Sequence, residues 1–310
     1  MNNIALRTVF PLVLLIGTGF FSRKAGILKS GDQRVLSAYV YYFALPALFF
    51  VNMSEISYTR EVLKFMLAGI LPVLMILIVY VALRFIFRFS NNTLYLLIVS
   101  TVFGSLAFFG IPFIMFAFPT GQGERLAILS TASVSTVSVI ISITSLELYK
   151  LGEATIWKTL KHVTKKLSRN LLILSILSGI LVSFLKIRIP SFLSTPLHML
   201  GGTTATVAIF MLGVFLFGRK YKNIFKAFKL SLLRMILLPC VAFGITRLLN
   251  LPNLESSILV LMYGMPVAVS MIVLSERYEF YQETIASLIL ISSVGAGIYL
   301  NLWLWLLGYH

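Results

Sequence analysis

The chain has 310 residues, of which 59% are hydrophobic and 12% are charged, and its formal net charge is +16. So few polar residues cannot cover a soluble domain of this size, and the composition therefore predicts an all-α polytopic membrane protein. The basic residues lie in short loops between apolar segments, which argues against a nucleic-acid partner and for contact with anionic membrane lipids. The single cysteine, Cys240, excludes an internal disulfide and a cysteine-rich metal site.

Apolar runs predict ten transmembrane helices. The first run, Val9 to Phe21, is followed by Arg23 and Lys24, whereas a cleaved signal peptide carries its positive charge before the run, so we interpret it as a retained helix. Each run is long enough to cross about 30 Å of hydrocarbon. The predicted spans are residues 4–22, 33–53, 63–88, 93–118, 124–148, 169–188, 197–217, 226–249, 255–276 and 281–307.

The distribution of Lys and Arg predicts the orientation. Most of these residues lie in the loops that follow spans 1, 3, 5, 7 and 9. The positive-inside rule places those loops in the cytoplasm and both termini outside, in a cell membrane of the bacterial cytoplasmic type.

The longest predicted connection, residues 150–168, is basic and divides the chain into two halves of five spans. We expect a first repeat at residues 1–149 and a second at residues 169–310. Because five is an odd number, two halves with a shared fold would insert in opposite directions, which is the inverted repeat common in secondary transporters.

A Gly-x-Pro motif recurs in the fourth span of each half, as Gly110-Ile111-Pro112 and Gly264-Met265-Pro266. Proline removes a helical hydrogen bond, so each motif predicts a helix that unwinds at mid-membrane and leaves half-helices whose N-terminal ends favour an anion. The alternative is a pair of unrelated kinks, since proline is tolerated in transmembrane helices.

Small polar residues accompany these motifs. Ser105 precedes Pro112 and Ser270 follows Pro266, although a serine in a membrane helix commonly bonds its own backbone. In span 5, a row of hydroxyl residues on one helix face favours either close helix packing or the wall of a polar cavity. The row contains Thr131, Ser135, Ser138, Ser142 and Ser145.

Charged residues inside the spans are few. We expect Glu147, at the end of span 5, to snorkel or pair with a lysine. Arg7 and Arg234 could pair with an anion, but snorkelling to the membrane surface is the favoured interpretation of each. No metal-ligand spacing, nucleophile motif or phosphate-binding loop is present, so the sequence does not predict an enzyme, a metal site or a cofactor.

Five segments resemble the auxin efflux carrier family of membrane transporters, which includes bacterial malonate-type carriers and plant auxin exporters. Residues 15–28 (LIGTGFFSRKAGIL) with residues 39–50 (YVYYFALPALFF) are similar to its first two helices. Residues 105–112 (SLAFFGIP) resemble its Asn-x-Gly-Phe-x-Gly-x-Pro motif, and residues 265–270 (MPVAVS) its Met-Pro-x-Ala-x-Asn motif. Span 7, with TVAIFMLGVFL, resembles the family's Leu-Phe-x-Leu-Gly stretch. Ser105 and Ser270 stand where the family usually has asparagine, and Ala107 stands where it has glycine.

The resemblance implies ten transmembrane helices in a 5+5 inverted repeat, the antiporter-like and bile-acid-symporter-like fold. Broken helices 4 and 9 would cross, and helices 1, 2, 6 and 7 would form a scaffold that often dimerises. The implied function is alternating-access transport of a mono- or dicarboxylate. The lack of mid-membrane acids favours uniport driven by voltage, or coupling through the charge of the substrate itself. A non-transporting ligand sensor and a sodium-coupled organic anion symporter are the alternatives. The substrate site would comprise Ser105, Phe109, Gly110, Pro112, Ser138, Ser142, Gly264, Met265, Pro266 and Ser270.

Overall fold

The computed structural model describes residues 4–29, 31–151, 164, 168–218 and 221–309. Within these residues the chain is helical, and the one β feature is an isolated bridge between Gly104 and Val267. We number the helices along the chain as α1 Ile4–Lys24, α2 Asp32–Glu55, α3 Arg60–Phe87, α4 Asn91–Val102, α5 Leu106–Ala117, α6 Gly121–Leu151, α7 Leu171–Phe184, α8 Ser191–Leu216, α9 Ile224–Leu248, α10 Asn253–Tyr263, α11 Met271–Tyr278 and α12 Gln282–Leu306.

These helices agree with the predicted class of polytopic membrane protein. Six of the described helices are long and apolar enough to cross a membrane, namely α2, α3, α6, α8, α9 and α12. Predicted spans 4 and 9 each fall on two shorter helices, α4 with α5 and α10 with α11. Most of the predicted loop 150–168 lies outside the described residues.

One face of α3 shows that the fold is built for a lipid environment. Leu67, Ile78 and Phe85 follow one another at whole-turn spacings and are 62%, 69% and 76% exposed. A large apolar face of this kind is unfavourable in water, whereas in a bilayer it contacts acyl chains.

Three prolines have the same local structure, because each follows a π-helical turn. The proline ring displaces the carbonyl four residues earlier, and one wider turn accommodates it without ending the helix. In α9 the displaced carbonyl is that of Met235, and it accepts a hydrogen bond of 2.9 Å from Nε1 of Trp303 in α12. The turns end two residues before their prolines, at Val40–Ala44 before Pro46, Leu106–Gly110 before Pro112 and Leu233–Leu237 before Pro239.

Helices α1 and α8 pack closely because two glycines face the partner backbone. A Cβ atom on Gly19 would lie 2.0 Å from the carbonyl oxygen of Phe210, and one on Gly213 would lie 1.9 Å from that of Ile16. Small residues at such contacts let transmembrane backbones approach, and van der Waals packing then holds the pair together.

We expect Gly19→Ala and Gly213→Ala each to lower thermal stability, since separating the two backbones costs about 1–3 kcal/mol. Gly17→Ala is the matched control on α1, because a Cβ atom there meets nothing within 4 Å. Thermal unfolding of the purified proteins in one detergent measures the difference. If Gly19→Ala unfolded at the same temperature as Gly17→Ala, the close contact of α1 with α8 would be refuted.

Candidate functional site

The two interrupted helix pairs meet at their interruptions. Residues 103–105 separate α4 from α5, and residues 264–270 separate α10 from α11. The N–H of Ser105 donates to the carbonyl of Pro266 at 2.7 Å, and the N–H of Ala268 donates to the carbonyl of Phe103 at 3.0 Å. These hydrogen bonds flank the Gly104–Val267 bridge, so the two unwound segments are joined by a single antiparallel β-bridge.

The first interruption differs from the prediction in its position. The helix does not unwind at Pro112; that residue lies in α5, and the π turn Leu106–Gly110 accommodates it. The unwound residues are Phe103 to Ser105 instead. The second interruption includes Pro266, as predicted, and follows α10 directly.

Arg234 of α9 lies at this junction and is completely buried. Its Nε donates to the carbonyl of Met265 at 2.9 Å, and its Nη1 donates to the carbonyls of Thr101 and Val102 at 2.7 and 3.1 Å. Thr101 and Val102 are the last residues of α4, and Met265 lies just beyond the end of α10. Arg234 therefore satisfies carbonyls at two helix ends, of which that of Val102 also accepts from the N–H of Gly104 at 3.0 Å.

The expectation that Arg234 snorkels to the membrane surface is wrong. Its side chain points into the protein because the ends of α4 and α10 offer three acceptors there, and each of these ends carries a partial negative charge of about half an elementary charge. Hydrogen bonds to a charged donor are stronger than neutral ones, which compensates for the loss of water. The side chain of Arg7 lies outside the described residues.

The remaining nitrogen of the guanidinium has no hydrogen-bond partner within the described part of the chain. Nη2 of Arg234 is buried and makes no hydrogen bond to any described residue. Among the described residues, no carboxylate lies within 4 Å of Arg234. A Cβ atom on Gly104 would lie 1.6 Å from Nη2, so the missing side chain of Gly104 provides the space for this nitrogen.

The hydroxyl row on α6 is divided between two roles. Thr131 and Ser145 donate to the carbonyls of Ala127 and Ile141 in their own helix. By contrast, the hydroxyls of Ser138 and Ser142 are buried and without a hydrogen-bond partner among the described residues. Buried polar groups usually have partners, so these two are candidates for contacts with a ligand or with water.

Glu147, near the C-terminal end of α6, is buried rather than snorkelling. Its Oε1 accepts a hydrogen bond from the hydroxyl of Tyr278 in α11. The interaction joins α6 to the second interrupted helix pair. Glu147 lies one to three helical turns after Ser142 and Ser138 along α6.

The structure brings part of the predicted site together. Ser105 contacts Pro266 through the backbone, and a Cβ atom on Gly110 would lie 2.9 Å from Sδ of Met262 and 3.1 Å from Cγ of Met265. Ser105, Phe109, Gly110 and Pro112 are buried around this junction. Gly264 instead faces Leu300 of α12 and Pro239 of α9. Ser270 is partly buried just before α11. Ser138 and Ser142 are on α6, a helix that packs against both interrupted pairs.

Comparison with known proteins gives two findings. The sequence model of a family described as "Membrane transport protein" matches residues 4–304. A relative in Methanocaldococcus jannaschii, described as the uncharacterized transporter MJ1031, is 26% identical over 309 residues, which cover 98% of this chain and 99% of the relative.

Proposed function

We propose that this chain, which belongs to the auxin efflux carrier family of membrane transport proteins, carries a small organic anion across the membrane by alternating access. The observation that carries the proposal is the Nη2 atom of Arg234, a buried cationic donor with no described partner. A carboxylate is the natural partner of such a group, because a hydrogen bond between a cationic donor and an anionic oxygen is roughly twice as strong as one between neutral groups.

The charges of the helix ends also favour an anion. The C-terminal ends of α4 and α10 together contribute about one negative elementary charge, and Arg234 offsets it. The N-terminal ends of α5 and α11 then contribute about one positive charge. A monovalent carboxylate between Nη2 and the start of α5 would neutralise it, so we favour monocarboxylates among the mono- and dicarboxylates.

We further propose that the fold is a 5+5 inverted repeat with crossing broken helices, one repeat at residues 1–149 and the other at residues 169–310. The close helix pairs support it. In such a repeat, α1 of the first half corresponds to α7 of the second, and α2 corresponds to α8. The contact between α1 and α8 therefore corresponds to the contact between α7 and α2. Both contacts depend on glycine: a Cβ atom on Gly179 of α7 would lie 2.6 Å from the carbonyl oxygen of Phe50 in α2.

In the proposed mechanism, helices α3 to α6 and α9 to α12 form the moving core, and α1, α2, α7 and α8 form a scaffold through which a homodimer would assemble. The core would carry the junction and its anion past the scaffold. The charge distribution of the loops supports a cell membrane location with both termini outside. Because the family consists of transporters, we do not propose an enzymatic activity.

Currents on a solid-supported membrane test the transport function. Proteoliposomes would receive a panel of mono- and dicarboxylates, with organic amines and neutral sugars as controls. We expect a saturable current for a carboxylate and none for the controls. A ligand that raises thermal stability without any current would support a sensor instead, and a current that requires sodium would support a sodium-coupled symporter.

Substitutions on α6 test whether the unpartnered hydroxyls face the substrate. We expect Ser138→Ala and Ser142→Ala each to raise the substrate concentration at half-maximal current several-fold, since a lost hydrogen bond is worth about 0.5–1.5 kcal/mol. Ser145→Ala is the matched control, because that hydroxyl donates to its own helix. Equal half-maximal concentrations in all three variants would exclude both serines from the site.

A further inference from the structure

Three backbone carbonyl oxygens from two different interrupted helices converge on one side chain. We call the carbonyl oxygens of Thr101, Val102 and Met265 the carbonyl cage. All three accept hydrogen bonds of 2.7 to 3.1 Å from Arg234, whose side chain is completely buried. The cage is assembled from the end of α4 and the residues just after α10.

Carbonyl cages of this kind bind cations. The C-terminal end of a helix carries partial negative charge, and the unwound carbonyls of interrupted transmembrane helices coordinate the small cations that drive many transporters. In this protein the guanidinium of Arg234 already provides one positive charge and three donors to the same oxygens. A free cation would have to displace a group that is attached to α9.

We propose that Arg234 is a tethered cation that permanently fills the carbonyl cage, so that the protein binds its substrate without sodium or any other coupling cation. The independence from a coupling cation rests on the proposed transport function, whereas the occupation of the carbonyl cage by Arg234 does not. Arg234 acts here as a positioning residue that holds α4 and α10 end to end through Nε and Nη1. Its Nη2 is left for the anion.

Three features around the guanidinium of Arg234 favour its position in the carbonyl cage. Gly104, with no side chain, leaves the space that Nη2 occupies. Among the described residues, no carboxylate lies within 4 Å that could draw the side chain out of the cage. The π turn Leu233–Leu237 displaces the backbone of α9 at the residue where the side chain leaves it.

Cation rescue of a truncated variant tests the proposal. Arg234→Ala, purified in detergent without substrate, should unfold at a clearly lower temperature than the wild type because the cage is empty. Millimolar guanidinium chloride should raise that temperature, with a rise that grows with the logarithm of its concentration, while choline chloride should not. Guanidinium should leave the unfolding temperature of the wild type unchanged, because its cage is full.

Arg247→Ala is the matched control, since Arg247 lies on the same helix but is exposed, and its side chain contacts the ring of Phe243. We expect this variant to unfold at the wild-type temperature, and we expect guanidinium to leave that temperature unchanged. If Arg234→Ala were as stable as Arg247→Ala, or if guanidinium and choline acted on it equally, the proposal would be overturned.

If Arg234→Ala does not yield folded protein, Arg234→Lys carries the test. Its ammonium group keeps one charge and three donors near the cage, so the variant should fold and remain stable without sodium. A lysine variant that needs sodium for stability would contradict the proposal. Cation rescue without a carboxylate current would support the filled carbonyl cage and refute the proposed transport. A sodium-dependent carboxylate current in the wild type would support transport and refute the proposal that Arg234 replaces a coupling cation.

Discussion

Arg234→Gln is expected to abolish the carboxylate current while the protein still reaches the membrane. Glutamine has no charge and two N–H donors, so it cannot serve three carbonyls and an anion together. A hydrogen bond to a charged group is worth about 1.5–3 kcal/mol, so weakening those to the three carbonyls should lower the unfolding temperature by several degrees. The measurement is the current on a solid-supported membrane, normalised to the amount of folded protein.

Arg247→Gln separates this effect from the loss of an arbitrary arginine on α9. That variant should retain the wild-type current, because Arg247 is exposed and far from the junction along the helix. If Arg234→Gln gave the wild-type current with the wild-type half-maximal substrate concentration, Arg234 would have no role in transport. Its hydrogen bonds would then have a structural role alone.

Gly104→Ala is expected to produce the second large effect. The added Cβ atom would lie 1.6 Å from Nη2 and 2.2 Å from Cζ of Arg234, so the guanidinium must leave its present position. The movement breaks hydrogen bonds to the carbonyl cage, and overpacking adds about 1–3 kcal/mol. We expect a lower unfolding temperature and a lost current, measured as for Arg234→Gln.

Two controls assign the effect to the guanidinium. Gly244→Ala on α9 introduces the same methyl group where nothing lies within 4 Å, and it should leave stability and current unchanged. The double variant Gly104→Ala with Arg234→Gln should be scarcely less stable than Arg234→Gln alone, because neighbouring groups are coupled and the shorter side chain leaves room for the methyl. Strict additivity of the two changes would show that Gly104 acts on something else.

The helices could be predicted from the sequence because each apolar run has one way to satisfy its backbone in a membrane. The predicted spans 63–88, 124–148 and 281–307 fall within a few residues of α3, α6 and α12. The interruption at Pro266 was also predictable, since Gly264 and Pro266 both disfavour a continuous helix there. The family resemblance is confirmed by the family model, which spans residues 4–304.

The chemistry at the junction could not be predicted in the same way. Pro112 carries the same local signal as Pro266, but a π turn accommodates it, and the helix unwinds at Phe103 to Ser105, where no proline is present. The partners of Arg234 include Thr101, which is 133 residues earlier in the chain. A rule based on neighbours in one helix therefore favours snorkelling, and only the tertiary structure reveals the buried alternative.

Gly104 shows the same limit. In the sequence it is one of 20 glycines, and nothing nearby marks it as a contact for an arginine of the other half. The available signal was the arginine itself, deep in an apolar run, since intramembrane charges are rare and usually functional. The roles of Ser138 and Ser142 were likewise left open by the spacing, because packing and cavity-lining residues share one face of α6.

A cryo-electron microscopy structure with bound substrate tests the proposed anion site most directly. The ligand would be the carboxylate that gives the largest current, added at saturating concentration to the wild-type protein. We predict density for its carboxylate within hydrogen-bond distance of Nη2 of Arg234 and beside the start of α5 at Leu106. Density held elsewhere, with Nη2 still unpartnered, would contradict the assignment of the site to the junction of the interrupted helices.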